Sequence, residues 1–276
     1  MSRVLIMSSW TAVGDVGLAI AAPVLQALGH EATQLPTVIL SNHPGWPQQA
    51  GGPVPPELLA AMIDAIDENG WLQGHDAFLT GYLPTVQHVT LARELINRLR
   101  RGSAPPLIVI DPILGDDPGG LYLPEPVALA IRDELVPLGD VLTPNRFELG
   151  WLTGLSITTL ADVRAAARRM TRGSGAIVLV TSPPIPGDAI GAVAVGPAGE
   201  ATPFRTARIE NVPHGVGDAF SALIAAGLPI GAALGHLWAL VQASAGADRL
   251  AIVESADRWR VAPAITPDVA WATMET

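Results

Sequence analysis

Cysteine is absent from this 276-residue chain. That excludes disulfides, thiolate metal sites and cysteine nucleophiles, and it fits a reducing cytosol. Charge is also scarce. Only 15% of residues are charged, and 26 acidic side chains against 16 basic ones leave a net charge of −10. Such a balance argues against non-specific nucleic-acid binding. It leaves room for a small anion, because a helix N-terminus can hold phosphate in an acidic protein. Several catalytic signatures are missing. There is no GxxxxGK[ST] phosphate loop, no GxSxG nucleophile elbow and no HExxH zinc motif. The early GDVGLA is only a fragment of a dinucleotide-binding GxGxxG turn. The six histidines are scattered, so a histidine metal site is not expected. MSRVLIMSSW lacks the apolar core of a secretory signal and reads as a first strand. The alanine-rich run from Gly231 to Ala247 is broken by His236, Gln242 and Ser244, so it reads as a buried helix rather than a membrane span.

What is present is apolar: 49% of residues are hydrophobic, with few aromatics. Short apolar runs alternate with helical patterns along the chain. Strands are expected at 3–9, 31–40, 76–82, 107–112, 140–144 and 176–182, with a hairpin over 189–209. Helices are expected up to Gly29, at 56–70, 89–102, 125–136, 145–154 and 161–171, and twice more after Gly215. Pro23 predicts a kink or a short first helix. Residues 41–56, rich in Pro and Gly, read as a long loop of functional or lid-like character. The last 25 or so residues have no clear assignment. Repeated strand–helix alternation without repeats or a charged linker predicts one α/β domain over 1–276, with a mostly parallel sheet and helices on both faces. Ligands in such sheets bind beyond the carboxyl ends of the strands.

Three constellations fall at those ends. In VPHGVGDAFSAL, Gly215 and Gly217 precede a helix whose first N–H groups lack intrahelical partners. The glycines would let that backbone approach an anion, and Asp218 would stand beside it to take a proton from a hydroxyl. The same letters also describe an ordinary helix start with an acidic first turn. In DPILGDDPGG, Asp111 ends a strand, and Asp116 and Asp117 follow in a turn. These carboxylates suit Mg2+ held directly or through water, or merely a solvated turn. Tyr122 is either a cover for a nucleotide or a half-buried anchor. In TPNRFELGWLTG, Asn145 and Glu148 share a face at a helix start. They fit a water-mediated metal role and, equally, a cap built on Thr143 or Asn145.

Taken in order, SSWTAVGDVG, LSNHPGW, LTGY, DPILGD with GGLYLPE, TPNRFE with LTG, VLVTS and GVGD resemble the pyridoxal kinases of the ribokinase superfamily, from Val4 to about Leu250. The resemblance implies a ribokinase-like α/β fold with a reduced lid, a homodimer, and no nucleic-acid or membrane partner. It implies ATP and Mg2+ as cofactors, a monovalent cation as a further candidate, and a cytoplasmic B6-salvage role. It assigns Asp218 as the base for the pyridoxal 5′-hydroxyl, and Gly215, Val216 and Gly217 as the anion hole. Asp111 and Glu148 would organise the metal and its waters. Asp116, Tyr122, Thr143, Asn145, Thr181 and Ser182 would serve the nucleotide, and Ser9, Val16, His43 and Tyr82 the substrate. Pro44 and Trp46 depart from the usual SNHTGY, Leu18 from a usual Asn, and Trp10 from a polar residue. All four lie on the substrate side. A same-fold kinase for hydroxymethylpyrimidine or another small alcohol is the alternative, although its early GxGxxAD pattern and the sugar-kinase GGxxxN are missing. An idle vitamer-binding protein is a third reading. Retention of Asp111, Glu148, Asp218 and both glycines argues against it.

Overall fold

A computed structural model describes residues 1–14, 16–171, 174–185 and 187–274. Its centre is a nine-stranded sheet in the order β11-β10-β9-β8-β5-β4-β1-β2-β3. The parallel part comprises β1 (Arg3–Val13), β2 (Glu31–Asn42), β4 (Ala77–Thr80), β5 (Leu107–Ile110), β8 (Val141–Leu142) and β9 (Ile177–Thr181). Antiparallel strands finish both edges. β10 (Ala189–Val195) and β11 (Ala201–Ala207) form the expected hairpin, and β3 (Gly51–Pro53) pairs with β2. A separate short ribbon, β6 (Gly115–Asp116) with β7 (Gly120–Leu121), follows β5.

The central strands β4, β5 and β9 are written as apolar runs because both faces are covered. Their residues are nearly all apolar, and alternation along the pleat sends them to opposite cores. Leu5, Met7, Phe78, Ile108, Ile110, Val178 and Val180 face one core. It is closed by α2 (Pro56–Glu68), α3 (Val86–Leu99), α4 (Glu125–Ala130), α5 (Arg146–Thr153) and α6 (Leu160–Met170). Val4, Ile6, Ala77, Leu79, Val109 and Leu179 face the other, under α1 (Leu18–Ala27), α7 (Val216–Ala225) and α8 (Ile230–Ala243). The helices start where local chemistry stops the strand. Thr85 accepts from the His88 backbone N–H at the head of α3. Asn145 with Glu148, and Thr159 with Asp162, form capping boxes for α5 and α6.

Several sequence expectations need correction. β1 runs on to Val13, beyond residue 9, because its outer half pairs with β2 through backbone bonds that need no apolar side chain. The first helix starts only at Leu18 and ends at Ala27 with Pro23 inside it. The 41–56 loop contains β3, whose backbone extends the edge beyond β2. The helix expected over 125–136 is α-helical only to Ala130 and then passes through a π turn, Ile131–Leu135. α8 is apolar but not fully buried: Ala233, Gly235, Leu240 and Val241 are covered, and other positions are half-buried. The unassigned tail carries α9 (Ala256–Trp259) and α10 (Val269–Met274). Trp259 seals the α7–α8 core and Trp271 the opposite one. Among the described residues, no helix is long and apolar enough to cross a membrane.

Candidate active site

β1 sits between β2 and β4: α1 leads from β1 out to β2 on one face, and after β3 the chain returns through α2 on the other face to β4, on the far side of β1. This is the topological switch point, and the candidate residues gather at the carboxyl ends around it. A small cavity there is lined by Ser8, Gly17, Gly81, Asp111, Asp218 and Ser221, among others.

Gly215 caps α7 with φ 90°, the left-handed region that glycine tolerates. It opens a ten-residue helix with no side-chain cap, and the first N–H groups of such a helix have no intrahelical partners. A Cβ on Gly217 would meet no atom of the protein. What this glycine leaves free is therefore space outside the protein, where an anion can approach the helix end. Val216 is half-buried between them and contributes backbone. Asp218 follows, half-buried. Burial pushes its carboxyl up to about 6, while N–H groups of Gly17 and of Asp218 itself restrain the shift. Gly17 is needed for this contact. Its φ is +57°, and a Cβ there would strike the backbone oxygen and Oγ of Ser9. Ser9 is thereby packed against the Gly17 backbone that donates to Asp218.

Asp111, immediately after β5, is buried. Its Oδ2 accepts from Ser221 Oγ at 2.7 Å, and Ser221 Oγ lies 2.9 Å from Thr143 Oγ1. With Ser221 donating to the carboxylate, Thr143 donates to Ser221. Burial raises the Asp111 carboxyl well above its usual range, and the charges of Glu148 and Asp218 push it further. Glu148 is buried too, and burial raises it to about 7. Its two oxygens accept from the N–H groups of Leu114 and Asn145, each at 2.8 Å. Asn145 Nδ2 donates to the Gly115 carbonyl at 2.8 Å, tying α5 to the β6–β7 ribbon. The cap reading of the Asn145–Glu148 pair is thus seen directly. The pair is a cap, and it is also a buried carboxylate beside Asp111.

The remaining candidates surround this centre. Thr181 bridges to Asn145 and donates its N–H to the Pro144 carbonyl, so β9 meets the head of α5. Ser182 has φ 49°, an uncommon turn for a residue with a side chain. Tyr122, just after β7, is half exposed, and partial burial and a hydrogen bond with Asp116 of β6 raise its hydroxyl. Tyr82 follows β4, with its N–H donating to Ser8 Oγ. Val16 is half-buried at the start of α1. His43 follows β2 and stacks on His214. Pro44 and Trp46 are exposed beside it, whereas Leu18 is buried within α1. Sequence reasoning did not find Ser8, Gly17, Ser221 or His214. Ser221 had a signal, since it lies one helical turn beyond Asp218. Gly17 had a weaker one in its position within VGDVG.

The donor set suits a hard cation. Asp111, Glu148 and Asp218 are oxygen donors that raise one another or are raised by burial, and none has an Arg partner among the described ion pairs of the structure. Among the described residues, no three His, Cys, Asp or Glu side chains converge as a direct metal cage. With the Glu148 oxygens already accepting backbone bonds, a Mg2+ here would be reached largely through water.

A nine-stranded α/β sheet with a glycine-led helix end beside an aspartate defines the class: a ribokinase-like small-molecule kinase fold. The phosphomethylpyrimidine kinase family model matches residues 22–245. The pyridoxine/pyridoxal/pyridoxamine kinase of Bordetella avium is 37% identical over 83% of this chain and 78% of its own length. A pyridoxal kinase of Corynebacterium diphtheriae is 31% identical over 80% of this chain and 79% of its own. The structure of Leishmania donovani pyridoxal kinase in complex with ADP and pyridoxamine superposes with a TM-score of 0.86, at 26% identity over 97% of this chain and all of that one. The chain belongs to the pyridoxal kinase family.

Proposed function

We propose that this chain transfers the γ-phosphoryl group of ATP to the 5′-hydroxyl of pyridoxal or a related B6 vitamer. The observation that carries the mechanism is the α7 terminus: no side-chain cap, open space at Gly217, and Asp218 raised to about 6 beside them. Asp218 takes the hydroxyl proton as the new O–P bond forms and the bond to ADP breaks. The backbone of Gly215, Val216 and Gly217 holds the moving phosphoryl group. Phosphoryl transfer asks little covalent help, so positioning and fixed dipoles supply most of the rate.

Asp111 and Glu148 would hold Mg2+ and its waters, and that ion would neutralise charge on the phosphates. Ser221 and Thr143 keep the Asp111 carboxylate oriented. Asn145, Thr181 and Ser182 serve the nucleotide side, with Asp116 and Tyr122 on the ribbon that covers it. Ser9, Val16, His43 and Tyr82 form the vitamer side. We read residues 1–276 as one kinase domain in a reducing cytosol, assembled as a homodimer. Trp10 and Ile39 support the dimer. They are register partners on β1 and β2, and both are exposed, at 37% and 47%.

The name of the matching family model favours a second reading, hydroxymethylpyrimidine as acceptor. One experiment separates them: purified chain with Mg-ATP and pyridoxal, pyridoxine, pyridoxamine or hydroxymethylpyrimidine, with ADP release followed. Turnover on the vitamers supports the first reading. Turnover confined to hydroxymethylpyrimidine supports the second, and no turnover on any of them despite bound nucleotide refutes both.

A further inference from the structure

His214 immediately precedes Gly215, and its ring stacks on His43 with centroids 4.2 Å apart and planes 19° from parallel. The two rings come from different parts of the fold. His43 stands at the root of the loop joining β2 to β3, on the vitamer side. His214 stands at the root of the turn that cradles the phosphoryl group. His43 is fixed from other directions as well. Its Nδ1 accepts from the Gly45 N–H at 3.1 Å, so the neutral ring carries its proton on Nε2. Gly14, at the end of β1, lies against it, since a Cβ there would sit 3.6 Å from His43 Cβ. Burial and the neighbouring His214 both favour the neutral form of His43. The flat, neutral His43 ring can then lie face to face with its neighbour in offset contact.

We propose that His214 is a positioning residue for the vitamer: by stacking on His43 it holds the Pro44–Trp46 loop against the catalytic turn and so sets the width of the substrate pocket. This rests on the reading of Gly215–Asp218 as the phosphoryl-transfer end. Pro44 and Trp46 are exposed, and the stack is a local means of seating that loop.

The test uses the full chain with His214→Ala and His214→Phe. Steady-state kinetics give the KM for pyridoxal and for ATP separately, and calorimetry gives pyridoxal binding without turnover. His214→Ala is expected to raise the pyridoxal KM and Kd about 3–10-fold, the scale of a lost ring stack. The KM for ATP should move less than about twofold on the same scale. His214→Phe, which keeps a flat ring, should recover most of the pyridoxal affinity. An unchanged pyridoxal Kd in His214→Ala, an equal rise in the KM for ATP, or no recovery in His214→Phe would overturn the proposal. Failure of the underlying kinase reading would look different, because the wild-type chain itself would then turn over no vitamer.

Discussion

Asp218→Asn should separate activity from stability in opposite directions. The carboxyl is raised from 3.8 to about 6, chiefly by burial, so the folded state holds a proton more tightly than the unfolded state does. Stability tied to this group is therefore full below 3.8 and is lost as pH rises through about 6. At neutral pH the ionised, partly desolvated carboxylate costs the fold about 1–3 kcal/mol, the upper figure being the full shift converted at about 1.4 kcal/mol per unit. An amide of the same shape removes that cost, and for a chain of this size the melting midpoint should rise by a few degrees. The same change removes the base, so kcat should fall by about 10²–10⁴-fold. In the wild type, kcat/KM should decline about tenfold per pH unit below about 6, as the base becomes protonated. Thermal unfolding at pH 7.5 and pH 4, beside ADP-release kinetics, checks all three. A melting midpoint that stays put or drops in the variant at pH 7.5, or turnover that survives, would refute the argument.

Other changes probe the supporting geometry. Gly17→Ala forces a side chain into φ +57° and against Ser9, so it should destabilise by about 1–3 kcal/mol and sharply reduce turnover, read by urea unfolding and kinetics. Ser221→Ala removes the donor to Asp111 and leaves Thr143 without its partner, so about 1–3 kcal/mol of stability should be lost; an unchanged urea midpoint would contradict the relay. None of the 16 basic residues is a lysine, so incubation with pyridoxal phosphate and borohydride should label only the α-amino group, as read by peptide mass spectrometry.

The order of elements was legible because strands buried on both faces must be written as short apolar runs such as LIVI and IVLVT. The edges were not. β3 is built from Gly51, Gly52 and Pro53, where backbone bonds to β2 do the pairing and no side-chain pattern exists to read. A Cβ at Gly51 would strike Ile39, so that glycine is there for close approach. At the site, charged and glycine positions announced themselves, and Asp111 feels the charges of both Glu148 and Asp218. Ser221, although one turn beyond Asp218, did not stand out within an apolar helix. Its partner, Asp111, comes from a distant strand. His214 was hidden in the same way: the His43 ring that gives it meaning arrives through the fold.

The placement of the two late tryptophans bears on how the chain folds as it is synthesised. Trp259 is fully buried under one face of the sheet and Trp271 almost fully under the other, and both follow every strand of the sheet in the chain. Until both leave the ribosome, the helices already packed on either side lack their closing side chains. Domains form as units during synthesis, and exposed apolar surface is then open to aggregation. A nascent chain stalled before residue 255 would hold its catalytic aspartate and glycine turn in full while both of its cores stayed unsealed. Closure of this fold is thus timed by the arrival of Trp259 and Trp271 rather than by its active site.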